Sequence, residues 1–344
     1  MSGDFFASIY SPPAALKPWR VEDLAEGFEW SFFSYARRAL AEGLRAAGVG
    51  LGARVLLPEF ICRELLSSIV AVGAHPVFYP VGKDLVPSSH PFRWPEASAV
   101  VAVDYFGFPQ DLEAFRTYCA RTGALLIEDN AHGLFSRDDR GAPLGTRADV
   151  GLFSLRKTLP IPDGAVLALK TDARKWRLAP QSSFNEYTTR GQRIKNTLRR
   201  LSVTFGAPPV FHALQVFRTA RACIDEGRPS GGEETDLPVP DLPCSVLASP
   251  ITAADPNLEV QRRRVLYHRI EALLAPHVSP VFPSLREGVV PYGFAYRSTQ
   301  SNEVARILSR VSLASLSWPN LPEAVSSAAP RHYRDVRFVP FLFI

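Results

Sequence analysis

Apolar residues recur at helical spacing at Phe33, Ala36, Leu40 and Leu44, and the pattern stops at Gly48 and Gly50. This predicts a helix over 30–47, closed by glycine as helices commonly are. The period then changes. Arg54-Val-Leu-Leu-Pro58 is a short apolar run of strand type, followed by a helix to about Val72, a stop at Gly73 and a second strand over 76–79. A buried strand over 97–104, a helix over 112–122 ending at Gly123, and a strand over 124–128 that breaks into Asp129-Asn-Ala-His132 continue the series. Strands without polar alternation, separated by helices, predict an α/β fold with a mostly parallel sheet covered on both faces. The runs 150–154 and 165–169 flank a loop holding Lys157, Pro160 and Pro162. They predict a hairpin, and so an antiparallel member in a mixed sheet.

Beyond Lys170 the pattern weakens into polar and basic stretches, and 229–243 is rich in Gly, Pro, Glu and Asp, the composition of a linker. The expected division is a large domain over 1–243 and a smaller α+β domain over 244–344, with helices over 258–274 and 301–311 and a strand within 289–296. A chain of 344 residues, 46% hydrophobic, can bury a core large enough for both. No apolar run reaches the roughly 18 to 20 residues that cross a bilayer, and the first ten residues lack the basic start and long apolar stretch of a signal peptide. The expectation is a cytoplasmic protein with no membrane partner. Cys62, Cys119, Cys223 and Cys244 have no paired spacing for zinc or a disulfide framework, so free thiols and no metal are expected. The formal charge of +5 gathers at Arg190, Arg193, Lys195, Arg199 and Arg200 and again at Arg262, Arg263 and Arg264. Such runs are either solvated helix faces or sites for a phosphate-rich small substrate. With no nucleic-acid module and no interleaved aromatics, nucleic acid is not an expected partner.

Two positions suggest chemistry. Ligands of open α/β sheets sit outside the carboxyl ends of the strands, so Asp129, where a buried strand ends, is poised to meet a cationic partner such as a protonated pyridine nitrogen. A capping or turn aspartate is the plain alternative. Lys157 lies between a buried strand and a proline-bearing loop, where partial desolvation lowers an amine's pKa and makes it nucleophilic, as attachment to an aldehyde cofactor requires. A solvated surface cation is the alternative there. Ser154 is close enough in sequence to offer its hydroxyl to the same ligand, and Asp163-Gly164 reads as a turn.

Six blocks in order resemble the DegT/DnrJ/StrS family of PLP-dependent sugar aminotransferases: Tyr35-Ala-Arg37-Arg-Ala-Leu40, Gly48 to Pro58, Gly73-Ala-His-Pro-Val-Phe78, Phe106-Gly-Phe-Pro-Gln-Asp111, Ile127-Glu-Asp-Asn-Ala-His132, and Gly151-Leu-Phe-Ser154 with Lys157. The resemblance implies a fold-type I (aspartate aminotransferase-like) transferase that carries pyridoxal 5′-phosphate (PLP) on Lys157. It further implies Asp129 at the pyridine nitrogen, His132 at the ring hydroxyl, Ser154 at the phosphate, and the backbone at Ala36 and Arg37 as a second phosphate contact. Cys62 stands where many relatives stack an aromatic ring. Lysine follows serine by three positions and precedes a Pro-Asp-Gly turn, which resembles a shorter variant of the family motif. The implied activity is transfer of an amino group from an amino-acid donor, glutamate, to a keto-sugar acceptor linked to a nucleotide, by a homodimer. Competing readings are a same-fold dehydratase or cyclic keto-acid aminase, a non-catalytic binding or regulatory relative, and a nucleic-acid binder resting on charge alone. Within 181–201 no match exists to the Asn-bearing segment by which relatives reach the partner subunit's phosphate.

Overall fold

In the computed structural model the described residues are 17–178, 183–184, 232–252, 254–311 and 313–341. The basic cluster at 190–200, the 181–201 segment but for two residues, and Cys223 lie outside them. Seven strands form the main sheet: β1 (Phe28–Phe33), β2 (Arg54–Pro58), β3 (His75–Tyr79), β4 (Ala99–Val103), β5 (Leu125–Asn130), β6 (Val150–Ser154) and β7 (Ala165–Lys170). Their order is β1-β7-β6-β5-β4-β2-β3. The five strands from β6 to β3 are parallel, whereas β7 runs antiparallel to β6 and β1 antiparallel to β7. The mixed, mostly parallel sheet and the β6–β7 hairpin are those expected from the sequence.

One element is corrected. The stretch 30–47 is not a single helix: its first residues belong to β1, and the helix α1 covers Ala36–Ala46. Phe28, Trp30 and Phe32 alternate along β1, a period of two that overrides the helical spacing beginning at Phe33. Trp30 packs 5.8 Å from Phe153 of β6, and the whole of β1 pairs with β7, from Phe28 opposite Lys170 to Phe33 opposite Ala165. At the break, the buried Ser34 hydroxyl donates to the Pro240 carbonyl (2.6 Å), and Arg38 donates to Pro238 O (2.7 Å) and pairs with Asp241. The described part of the Gly/Pro-rich 229–243 stretch therefore lies against the start of α1.

Helices α2 (Leu66–Val70) and α3 (Glu113–Thr122) follow, the latter closed by Gly123 at φ 72°, as the sequence predicts. The second sheet is antiparallel, in the order β10 (Leu316–Ser317), β11 (Val336–Pro340), β9 (Gly293–Arg297), β8 (Ser279–Pro280). Helix α4 (Pro256–Leu274) packs on β9; Asp255 caps it by accepting from Leu258 N at 3.1 Å, and Pro256 fills its first position. Phe106, behind β4, meets Trp318 (5.1 Å) and Phe338 (5.5 Å), so the two sheets share one apolar core. Among the described residues no helix is long and apolar enough to cross a membrane.

Close approach fixes one glycine in the floor of this sheet. A Cβ on Gly151 would lie 1.7 Å from the Gly145 carbonyl oxygen, so no side chain fits there. Behind the carboxyl ends of β4 and β5 lies a buried ionic cluster. Arg147 donates from Nε to Glu128 Oε1 (2.7 Å), from NH2 to Asp104 Oδ1 (2.8 Å) and from its backbone N–H to Glu128 Oε2 (2.8 Å). Burial, then the neighbouring Glu128, pushes the Asp104 carboxyl well above its ordinary range, although Arg147 opposes this. One guanidinium is thus shared between two buried carboxyl groups. Replacing Arg147 with Met leaves Glu128 as an uncompensated buried charge, and urea unfolding should show a loss of about 3–5 kcal/mol. The exposed Arg93→Met control should move stability by no more than about 0.5 kcal/mol.

Candidate active site

A cavity of about 290 Å³ opens at the carboxyl ends of the parallel strands, close to the lower size of small-molecule sites. Its walls are the start of α1 (Tyr35, Ala36, Arg37), the segment after β2 (Cys62, Glu64), the end of β5 (Asp129, His132), the end of β6 with its following turn (Ser154, Arg156, Lys157), and Trp318 and Asn320 from beside the second sheet. All seven residues singled out from the sequence line this one cavity.

Asp129 is the penultimate residue of β5 and is 6% exposed, with Oδ1 accepting from Ala131 N–H at 3.0 Å. Burial raises its pKa above the usual carboxylate range, while the Lys157 ammonium and the Ala131 N–H pull it back. Lys157 stands on the 3-10 turn Leu155–Lys157. Its amine opens to the cavity and makes no ion pair among the described residues. Burial lowers its pKa below the ordinary lysine value, and Asp129 raises it in part. The Lys157 ammonium lies 5.8 Å from the centre of the Tyr292 ring.

His132 is 4% exposed and stacks flat on Tyr292, with ring centres 4.6 Å apart at 3°. Trp318 meets its edge at 5.1 Å. The Nδ1 atom accepts from Phe106 N–H at 3.2 Å, and Phe106 sits in the left-handed region (φ 55°) to present that N–H. Burial, then the Lys157 charge, lowers the imidazole's pKa well below its ordinary value. The neutral ring must then carry its proton on Nε2, an atom that is buried and has no hydrogen-bond partner in the described structure. Ser154 ends β6, 4% exposed, and its hydroxyl likewise has no partner among the described residues. At the first turn of α1, Tyr35 supplies no side-chain cap, and the first hydrogen bonds of the helix are those from Arg38 and Ala39 to Tyr35 O. The N–H groups of Ala36 and Arg37 are left for an external acceptor. Burial pushes the Cys62 thiol up to about 12, so it is neutral and presents an apolar sulfur.

Other site features leave no local mark in the sequence. Tyr292 and Trp318 come from a region without motif and reach the site only because the second sheet docks beside Phe106. Arg263, within one of the two charge runs, is 1% exposed. It donates to Glu259 Oε1 (2.6 Å), to the Pro291 carbonyl (3.1 Å) and to the Lys157 carbonyl (3.2 Å). The 163–164 turn is buried, and Asp163 Oδ1 accepts from Cys244 N–H at 2.9 Å.

Unpaired Nε2, Ser154 hydroxyl and helix-start N–H groups, set around a shielded carboxylate and a lone amine, make a cavity built for a polar ligand with a cationic ring nitrogen and an anionic end. Residues 33–177 match the model of the DegT/DnrJ/EryC1/StrS aminotransferase family. The match bears out the resemblance read from the six sequence blocks and supports the PLP-dependent transaminase class. Solved structures agree in fold. The aminotransferase TlmJ from Streptoalloteichus hindustanus is 21% identical, with 97% of this chain and 85% of that chain covered at a TM-score of 0.58. Spr1654 from Streptococcus pneumoniae, in its PLP-form, is 15% identical over 99% and 91% of the two chains (TM-score 0.58). DesI, solved in the presence of its TDP-sugar product, is 19% identical over 93% and 77% (TM-score 0.56). At these identities the likeness is one of fold, and it is the fold-type I arrangement expected from the sequence.

Competitive labelling with trace acetic anhydride, read peptide by peptide, measures the state of the Lys157 amine in the protein without added ligand. Its reactivity should rise with pH through a midpoint below the ordinary lysine value of about 10.4. Asp129→Asn should move that midpoint lower still, because the carboxylate is one of the groups, with Cys62 and Glu64, that raise it. A midpoint at or above the ordinary value would contradict the burial described here.

Proposed function

We propose that the protein is a PLP-dependent aminotransferase that moves an amino group from an amino acid, glutamate being the expected donor, to a keto-sugar carried on a nucleotide. The observation that carries this reading is the meeting of Asp129, Lys157 and the unpaired Nε2–H of His132 in one cavity. The residues fit the cofactor end to end. Asp129 would meet the pyridine nitrogen, and His132 would donate from Nε2 to the ring hydroxyl. Ser154 and the N–H groups of Ala36 and Arg37 would take the phosphate, Cys62 would lie against the ring, and Lys157 would make the covalent attachment. When bound, PLP supplies an electron sink for charge developing beside the transferred nitrogen.

The chain's own groups do the rest. Asp129, shielded from water, holds a proton on the ring nitrogen by charge pairing. Lys157, whose pKa burial lowers toward a more nucleophilic amine, would make the covalent attachment, and its amine could take and return the proton at the substrate carbon. The neutral His132, held flat by Tyr292 and by the Phe106 N–H, can only donate toward the ring oxygen. The sugar-nucleotide class draws support from the family match and from relatives such as DesI, whose product is a TDP-sugar. A homodimer in the cytoplasm completes the reading, as the family resemblance implies.

Incubation with PLP should produce a visible absorption band distinct from that of free PLP. Borohydride should then fix a pyridoxyl group on the Lys157 peptide, and glutamate should bleach the band before reduction. Lys157→Ala should lose the band and the adduct. A band that survives this substitution, or wild-type protein that never forms one, would move the chain to the non-catalytic reading.

A further inference from the structure

Arg156 lines the same cavity, two residues after Ser154 and one before Lys157. Neighbouring side chains on a 3-10 turn point about 120° apart. Lys157 lies over the Tyr292 ring beside His132, whereas the Arg156 guanidinium lies 5.4 Å from the centre of the Tyr35 ring, at the cap of α1. The lysine thus serves the ring end of the cavity and the arginine the helix-start end.

The Arg156 Nε is buried with no hydrogen-bond partner, and the side chain makes no ion pair among the described residues. A guanidinium is a five-donor cation and cannot shed its charge, so leaving it unpaired at a buried wall is costly. The cavity lining holds three cations, Arg37, Arg156 and Lys157, against two carboxylates, Glu64 and Asp129. Arg156 also presses on Arg37, whose pKa is lowered first by burial and then by this neighbour. The buried Ser154 hydroxyl and the unused N–H groups of α1 border the same cavity; Glu64 offsets part of the charge at Arg37 and Arg156 lowers the pKa of Asp163, yet no carboxylate forms an ion pair with Arg156 among the described residues.

We propose that Arg156 is a cationic ligand for a phosphate dianion, the phosphate of the cofactor, acting with Ser154 and the start of α1 from within one chain. This rests on the PLP reading and adds to it the residue that neutralises the phosphate. A charge-assisted contact of this kind concerns only the phosphate and leaves the ring untouched.

The test is binding of PLP and of phosphate-free pyridoxal to full-length wild type, Arg156→Gln and Arg156→Lys, followed by absorbance. Arg156→Gln should weaken PLP about 10- to 100-fold while pyridoxal stays within about twofold, and Arg156→Lys should recover part of the loss. Equal weakening of both compounds would mean that Arg156 only shapes the lysine turn and would overturn the proposal. So would unchanged PLP affinity in Arg156→Gln with a loss of affinity for a nucleoside diphosphate, which would place the arginine at the acceptor instead. Wild-type protein that binds neither PLP nor pyridoxal would remove the cofactor reading itself, a result distinct from either of these.

Discussion

Arg263 reaches out of helix α4 to the turn that carries Lys157, and it does so with its charge fully inside the protein. A buried guanidinium is tolerable only if its donors are used. Here Nε meets Glu259, NH1 the carbonyls of Pro291 and Tyr292, and NH2 those of Lys157 and Thr158. The consequence reaches beyond one contact. The same arginine fixes the backbone under the candidate nucleophile and the backbone of the residue that stacks on His132, so the amine and the imidazole are located relative to each other by a group that touches neither. Glu259 in turn is shared with Arg262, which also donates to the Phe341 carbonyl, and its carboxyl is held below the usual range by these two guanidinium groups despite its burial.

The charges of β5 divide by the alternation of the strand. Glu128 turns to the far face and meets Arg147, which it shares with Asp104, whereas Asp129 turns to the cavity with a single backbone donor. Two adjacent carboxyl groups thereby have opposite tasks. The first is internally satisfied and structural. The second is deliberately under-partnered, its pKa raised by burial, and in need of a cation from outside. The same contrast separates Arg147, whose donors are filled, from Arg156, whose Nε is not.

Much of this was legible in the sequence because parallel strands buried on both faces are apolar without alternation, so β2, β4, β5 and β6 stand out, and the chemical residues sit just where each run ends. Ser154 is the last residue of its strand and Asp129 the last but one of its own, and Lys157 follows a strand end at short range. The first strand was hidden because Phe33 serves two periodicities, closing the alternating Phe28, Trp30, Phe32 series while opening the helical one. Tyr292, Trp318 and Arg263 were hidden for a different reason. Their roles depend on how the second sheet and α4 dock against the first, and contacts more than a hundred residues apart leave no local pattern in the chain. The 163–164 turn was read correctly as a break but not as an anchor, since the bond from Cys244 to Asp163 is of the same long-range kind.

The central claim is that a single cavity at the carboxyl ends of the parallel strands holds PLP, with its ring nitrogen at Asp129. A crystal structure of the protein grown with PLP tests it most directly. The account predicts density continuous with the Lys157 side chain, the ring nitrogen within hydrogen-bonding distance of the Asp129 carboxylate, and the phosphate between Ser154 and the start of α1. Density for the cofactor attached to another lysine, or lying with its ring nitrogen away from Asp129, would contradict it.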